Sequence, residues 1–346
     1  KGDDNKKIIP IVSRAMDAID KETKVSKKTT LQEARHISSF DNIIGKSKSL
    51  QSAITLAKKV AGTDIPVLIT GETGTGKEVF AQAIHNASKR NGKAFVAVNC
   101  SAFSHELLES EIFGHKAGSF TGATKDKKGL FEEANNGTIF LDEIGEMSFD
   151  LQAKLLRVLE TGEFIKVGET KPTKVNVRVI SATNRKLKEE IANQRFREDL
   201  FFRLSVFQIA LPSLIERKED IPLLAKTFIE RLGPLLGQNI TDITDECLET
   251  MQNYSWPGNV RELQNVIERA MIVCDKEIAV CDLPIEMLTD TNKALPTEET
   301  ALDLPTVEKN HIIRVLQFTK GNKTETARLL KIGLTTLYRK LEEYGI

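Results

Sequence analysis

Residues 67–78, Val-Leu-Ile-Thr-Gly-Glu-Thr-Gly-Thr-Gly-Lys-Glu, constrain the fold more than any other stretch of this 346-residue chain. An apolar run, Val67–Thr70, enters a loop with three glycines, and Lys77 stands directly before a helix-like stretch, Val79 to His85. Strand, glycine loop and helix in that order are what a phosphate cradle needs. Gly71, Gly74 and Gly76 let backbone N–H groups turn inward, with Glu72, Thr73 and Thr75 between them. The helix N-terminus adds positive potential, and Lys77 can reach the outer phosphates of a nucleotide. An ordinary glycine turn would explain the glycines but neither the lysine nor the flanks. The general pattern places Ser or Thr after the lysine, and here Glu78 stands there. A bound Mg²⁺ therefore lacks its usual hydroxyl ligand and depends on phosphates, water and a downstream carboxylate.

Thr138-Ile139-Phe140-Leu141 supplies that carboxylate by running into Asp142 and Glu143. Asp142 is placed to hold the metal and Glu143 to polarise an attacking water; the plain alternative is a solvated strand cap. A third apolar run, Val177 to Ala182, ends in Thr183-Asn184-Arg185, so Asn184 emerges from the same sheet edge and either senses a γ-phosphate or caps its strand. Asn99 follows Phe95–Val98 at a comparable strand end and is expected to hydrogen-bond Glu143, holding the carboxylate back. Phosphoryl transfer also needs a positive charge, commonly an arginine from a neighbouring subunit. Phe196–Leu204 offers Arg197 and Arg203, which as residues of a packing helix would otherwise be ion-pair formers. Arg261 follows the turn Trp256–Asn259 and opens a stripe of Val260, Leu263, Val266, Ile267 and Ala270; it meets a nucleotide if that helix folds over the loop, and is a surface arginine if not.

Around these motifs, short apolar runs alternate with helical stretches from Phe40 to about Pro284, which indicates an α/β domain with a largely parallel sheet. The strands stop near Leu211, and residues 217–284 read as a lid made of helices only. Residues 285–305 hold two prolines among many Thr, Glu and Asp and read as a linker. Residues 306–346 read as three short helices, Val307 to Thr319, Lys323 to Leu330 and Leu334 to Leu341, with Lys331-Ile332-Gly333 as the last turn. At the front, Ile8, Ile9, Ile11, Val12, Ala15, Met16 and Ile19 recur at spacings of three and four, an amphipathic helix that makes 1–39 a connector after a regulatory domain. The first residue is Lys1, and an upstream part is expected to be missing.

Charge sharpens the reading of the ends. Lys+Arg 49 cancels Asp+Glu 49, so the whole chain is no obvious polyanion binder. Yet residues 307–346 carry eight basic against four acidic side chains, and 1–39 nine against six. Two short helices around a glycine turn, on a basic segment, match a helix-turn-helix; Thr335, Thr336, Tyr338, Arg339 and Lys340 are then available to phosphates and base edges. A protein-binding helical bundle is the alternative. The four cysteines, Cys100, Cys247, Cys274 and Cys281, are too scattered for a disulfide framework or a Cys-x-x-Cys metal site. With no apolar stretch long enough for a membrane span and no signal-peptide pattern, a reducing cytoplasm is expected.

Gly118-Ser119-Phe120-Thr121-Gly122-Ala123, reached through Phe113-Gly114-His115, reads as a hairpin tip with Phe120 and Thr121 at its apex, or as a loop whose Phe tucks into the core. With these segments assembled, the chain resembles the AAA+ bacterial enhancer-binding proteins that activate the sigma-54 form of RNA polymerase, almost without a break over residues 41–346. The resemblance rests on Gly71–Glu78, where Glu after the lysine is normal for that family, on Phe113–Ala123, on Gly137 to Met147, on Phe196 to Leu204 and on Trp256 to Leu263. Residues 118–123 resemble the family's GAFTGA loop with Ser119 for its first Ala, and the tail resembles a Fis-type domain.

The resemblance implies an ATPase, with ATP and Mg²⁺ bound, that assembles from dimers into hexameric rings. In that reading Arg197 and Arg203 are fingers reaching a neighbour's nucleotide, Asn184 and Arg261 are sensors I and II, and Asn99 with Glu143 is a switch pair. The partners are sigma-54 RNA polymerase holoenzyme, gripped by loop 118–123, and upstream double-stranded DNA. If residues 1–39 end a receiver domain, the protein is a two-component response regulator and a sensor kinase is a further partner. Two other classes compete: a DNA-binding regulator that keeps nucleotide without hydrolysing it, against which Asp142, Glu143, Phe120 and Thr121 argue, and an AAA+ remodeller of other proteins, against which the helix-turn-helix and loop 118–123 argue.

Overall fold

A computed structural model describes residues 40–290, apart from 121–122, 237–239, 241 and 275, and most of 308–344. The amphipathic stretch 8–19, Thr121, Gly122 and the remainder of the linker after Asp290 lie outside the described residues. The chain forms two compact units, Lys1–Asp290 and Thr291–Ile346.

The first unit is built on a parallel sheet in the order β2-β5-β8-β1-β9, formed by β1 (Val67–Thr70), β2 (Phe95–Asn99), β5 (Thr138–Asp142), β8 (Arg178–Thr183) and β9 (Phe207–Ala210). The central strands are buried without alternation because both faces are covered, as parallel sheets require. Period two still decides which layer each residue meets. Val67, Ile69, Phe140, Ile180 and Ala182 pack with helices α1 (Lys48–Ala61) and α2 (Lys77–Asn86). Leu68, Ile139, Leu141 and Val179 pack on the other face with α3 (His105–Phe113), α4 (Phe149–Thr161) and α5 (Glu198–Leu204). The buried Arg178 at the start of β8 is tolerated because its two Nη atoms each donate, at 2.9 Å, to the last carbonyls of α1, those of Val60 and Ala61.

Parallel register aligns the C-terminal strand ends. Asn99 stands opposite Asp142, and Thr70 opposite Thr183, so the phosphate loop, the two acids and Asn184 share one edge. Two small antiparallel hairpins, β3 (Gly114–His115) with β4 (Lys127–Lys128) and β6 (Glu163–Ile165) with β7 (Pro172–Lys174), rise beside that sheet. They are joined by a bridge between His115 and Val167.

The lid has its own core, from Leu214 to Met287, centred on the buried Trp256, whose Nε1 donates to the Met251 carbonyl at 2.7 Å. Helices α6 (Ile221–Leu236), α7 (Asp245–Asn253) and α8 (Asn259–Val273) dominate it. Contrary to the expectation of helices only, Asp242–Ile243 pairs in parallel with Glu277–Ile278. Strands of two residues carry no period for a sequence reading to detect. The lid also runs further than Pro284: helix α9 (Ile285–Asp290) buries Met287 in the same core and occupies the start of the stretch read as linker.

In the second unit, helices α10 (Lys323–Leu329) and α11 (Leu334–Tyr344) flank the turn through Gly333, with helical residues at 308–309, 311–313 and 315–316 before them. Ile312, Ala327, Leu337 and Leu341 form its small core. No helix among the described residues is long and apolar enough to cross a membrane.

Candidate functional site: a nucleotide cradle under a lid

Gly76 adopts φ +100°, a backbone region open to glycine, and thereby swings the chain from the loop into α2. The first intrahelical bond of α2 runs from Phe80 N to Gly76 O at 3.2 Å. The N–H groups of Gly76, Lys77, Glu78 and Val79 form the open end of the helix, where an anion is stabilised. Lys77 is 6% exposed, and its Nζ curls back to the carbonyls of Gly71 (3.0 Å) and Glu72 (3.2 Å). Its Nζ also lies 3.7 Å from Glu143 Oε1.

Glu143 sits in the left-handed region, φ +51° and ψ 48°, uncommon for a residue with a side chain and a feature that clusters at functional sites. Asp142 Oδ1 accepts its N–H at 3.0 Å and helps hold the turn. Asn184 closes the group: its N–H points to Glu143 Oε2 at 3.4 Å and its Nδ2 donates to Thr73 Oγ1 at 3.1 Å. Lys77, Glu143, Asn184 and Thr73 thus surround the place where a terminal phosphate would meet the loop. Behind them Cys100 is buried; that burial, and then the charges of Asp142 and Glu143, push its thiol up to about 12, so it is an inert neighbour.

The expected Asn99–Glu143 bond is not made. Asn99 Oδ1 instead accepts from Ser101 N (2.8 Å) and Ser101 Oγ (2.7 Å), a local turn that outcompetes the longer reach. Among the described residues no group of three His, Cys, Asp or Glu side chains makes a ready metal cage. Asp142 and Glu143 at the strand end nonetheless fit Mg²⁺, which is usually held by one or two carboxylates together with a nucleotide's phosphates and water.

The lid seals the loop through residues that sequence reading did not single out. Asn259, fully buried at the start of α8, donates from Nδ2 to Glu72 Oε2 (3.0 Å) and Thr73 O (3.1 Å), and its Oδ1 accepts from Leu214 N at 2.6 Å. Val260 N donates to Gly74 O at 3.1 Å, and any Cβ on Gly74 would collide with the Gly258 carbonyl. Arg261 is carried by the same turn of α8, its Cβ 3.2 Å from where a Gly74 Cβ would stand. The buried Arg217 donates to Thr75 O at 3.2 Å; burial holds its guanidinium below the usual range, while Asp220 opposes that effect. Asp220 in turn accepts from Lys46 N, Ser47 N and Ser47 Oγ at 2.6–3.0 Å, tying the lid to the entry of α1. An Asn after a glycine at a helix start is the one sequence signal that could have drawn attention to Asn259.

Arg197 and Arg203 lie on α5 and use their side chains there. Arg197 pairs with Asp199 at 2.7 Å and stacks 5.2 Å from the Phe149 ring, while Arg203 donates to the Leu159 carbonyl at 2.9 Å. Neither contact is to the phosphate loop of the same chain. In loop 118–123 the two ends meet through Gly118 N to Ala123 O (2.7 Å), and Phe120, 42% exposed, leans edge-on against His115 with ring centroids 5.0 Å apart. In the tail, Leu337 and Leu341 face inward, leaving Thr335, Tyr338 and Arg339 exposed and Thr336 half-buried. Lys340 departs from expectation: its Nζ is 2.5 Å from Glu308 Oε2, so its charge is used within the tail unit.

A phosphate loop, an Asp-Glu strand end and a helical lid on a parallel sheet define an AAA+ nucleotide-binding domain, here followed by a helix-turn-helix unit. The chain matches the sigma-54 interaction domain over residues 43–210, the AAA+ ATPase lid domain over 215–300 and the Fis family of bacterial regulatory proteins over 303–344. It belongs to the family of sigma-54-dependent activators. It is 46% identical over 312 residues to the formate hydrogenlyase transcriptional activator FhlA of Escherichia coli, covering 89% of this chain and 45% of that protein. It is 43% identical over 304 residues to the transcriptional regulatory protein GlrR of Escherichia coli, covering 88% and 68%. The chain therefore spans about half the length of FhlA. Its structure is similar to that of NtrX from Brucella abortus in complex with ADP, with a TM-score of 0.68, 34% identity and coverage of 100% of this chain and 76% of that one.

Proposed function

We propose that this chain hydrolyses ATP between subunits of a ring and uses the cycle to remodel a sigma-54 RNA polymerase closed complex into an open one while bound to upstream DNA. The observation that carries the reading is the closed group of Lys77, Glu143, Asn184 and Thr73 under a lid hydrogen-bonded to the same loop. The similar fold of NtrX, described in complex with ADP, supports a nucleotide there.

In this reading Gly71–Glu78 bind the phosphates, with Lys77 turning from its carbonyl partners to the outer phosphates. Asp142 would hold Mg²⁺, which when bound would neutralise charge on the phosphates. Glu143 orients and accepts a proton from the attacking water, and Asn184 senses the terminal phosphate; Asn99 serves the same edge through the turn at Ser101. Arg261 meets the nucleotide from the lid, and Arg197 and Arg203, free of their own loop, are presented to a neighbouring subunit. Loop 118–123 grips sigma-54, and Thr335, Thr336, Tyr338 and Arg339 contact DNA, with Lys340 supporting their helix. Residues 40–290 form the motor with its lid from about 217, 306–346 the DNA-binding domain, and 1–39 the connector to a receiver-like regulatory domain addressed by a sensor kinase.

The test is ATP-dependent open-complex formation at a sigma-54 promoter with purified holoenzyme, comparing wild type with Thr121→Ala. Opening should require both ATP and Thr121 while ATP turnover stays within about twofold, because transition-state groups are untouched. Opening by Thr121→Ala would remove loop 118–123 from the coupling role.

A further inference from the structure

Gln152, fully buried in the first turns of α4, connects two segments with a single amide. Its Nε2 donates to Met147 O at 2.8 Å and to Arg195 O at 3.0 Å, and its Oε1 accepts from Arg197 N at 2.8 Å. Met147 closes the short 3-10 turn, Ile144–Glu146, that begins at Glu143. Residues 195–197 lead into α5, and Arg197 is the residue that starts that helix. A second link runs parallel nearer the surface, where Arg185 reaches Glu146 (2.5 Å) and Glu190 (3.3 Å), and Glu190 accepts from Arg195 Nε at 2.8 Å. The turn that carries the water-activating acid and the segment that carries the half-buried Arg197 are therefore held together twice, once by a buried amide and once by ion pairs.

We propose that Gln152 is a positioning residue that keeps the Arg197 segment in register with the Asp142–Glu143 turn, so that the arginine offered to a neighbouring subunit follows the state of the subunit's own nucleotide site. The proposal rests on the reading of Arg197 as a finger acting in trans. The chemistry of the position requires an amide. Glutamine supplies two donors and an acceptor on one plane, whereas an apolar residue leaves the Arg197 N–H and two carbonyls buried without partners. A carboxylate would set negative charge against the carbonyls of Met147 and Arg195.

The experiment uses the full chain. Gln152→Met keeps size and apolar contact; alone it should fold and bind ATP but turn over about 10–100-fold more slowly, the scale of a misplaced catalytic group. It is then mixed with Glu143→Gln subunits, which bind ATP, do not turn it over and carry an intact finger segment. Where a Glu143→Gln finger enters a Gln152→Met site turnover returns, so the mixture should exceed the mean of the two separate proteins several-fold. A parallel mixture of Arg197→Ala with Glu143→Gln reports on the finger itself. If that mixture recovers and the Gln152→Met mixture does not, the proposal is overturned and the trans arginine stands. If neither recovers, the trans arginine falls and the proposal with it. A general folding defect would weaken ATP binding and would not be cured by a neighbour; should Gln152→Met not fold, Gln152→Asn, which keeps an amide one methylene short, is read in the same mixtures.

Discussion

The two glycine-rich loops of this molecule are held in opposite ways. The phosphate loop is gripped from above: Asn259 bonds two of its residues, Val260 and Arg217 donate to its carbonyls, and Gly74 lies against Gly258 too closely for any side chain. Loop 118–123 hangs from strands of two residues, keeps Phe120 partly in solvent, and rests on the protein through His115 and Gly168. A loop that must present N–H groups to a charged ligand gains from being fixed beforehand, since the ordering cost is met on folding rather than on binding. A loop that must move against a partner gains from few contacts, each cheap to break. Under the proposed function, the lid junction is where nucleotide chemistry would be set, and the hairpin where it would be delivered.

The hardest way to break the comparison is chemical. Glu143→Ala should leave ATP binding intact and lower turnover by about 100- to 10,000-fold, the usual contribution of a positioned general base. Turnover near wild type would move water activation to another residue and leave the phosphate loop as a binding site only. The measurement is steady-state phosphate release beside equilibrium ATP binding.

A smaller effect is expected at the lid. Asn259→Ala strips the loop of its clamp and leaves Leu214 N–H buried without a partner, which should cost about 2 kcal/mol in urea unfolding. Part of that loss comes from the backbone, since Asn259 sits at φ +53°, a region that Asn tolerates and Ala resists. Asn259→Gly accepts the same φ and isolates the hydrogen-bond share. If both variants unfold like wild type, the phosphate loop is fixed by something other than the lid, and the contrast between the two loops loses its cause.

Much of this was legible in residue order. The loop 71–78, the acids at 142 and 143 and Asn184 announce themselves because each follows a largely apolar strand, and parallel pairing of such strands brings their C-terminal ends to one edge. The tail helices were legible from turn chemistry at Gly333 and from Leu337 and Leu341 at helical spacing. Hydrogen bonds across the fold were not legible. That Asn99 turns to Ser101 rather than Glu143, that Lys340 pairs with Glu308, that Asn259 bonds a loop 186 residues away, and that Gln152 joins two distant segments all depend on side-chain reach after folding. Polar side chains have several partners of similar energy in sequence and a single one once the backbone is placed.

The finest test of the comparison is Ser119, the residue that stands where the family's loop has its first Ala. Its Cβ lies 2.6 Å from where a Cβ on Gly168 would stand, so the approach depends on glycine there. Its hydroxyl is buried in that contact with no partner among the described residues. An orphaned hydroxyl costs about 1–3 kcal/mol, and the cost is relieved whenever the loop lifts into water. Ser119 is therefore expected to loosen loop 118–123 from the body of the domain. Ser119→Ala should tighten the docked loop by about 1 kcal/mol, seen as slower amide exchange across 116–123 with exchange in 71–78 unchanged. Equal exchange in both proteins would mean that the hydroxyl finds a partner in solution, and the mobility of the loop would then rest on its short strands alone.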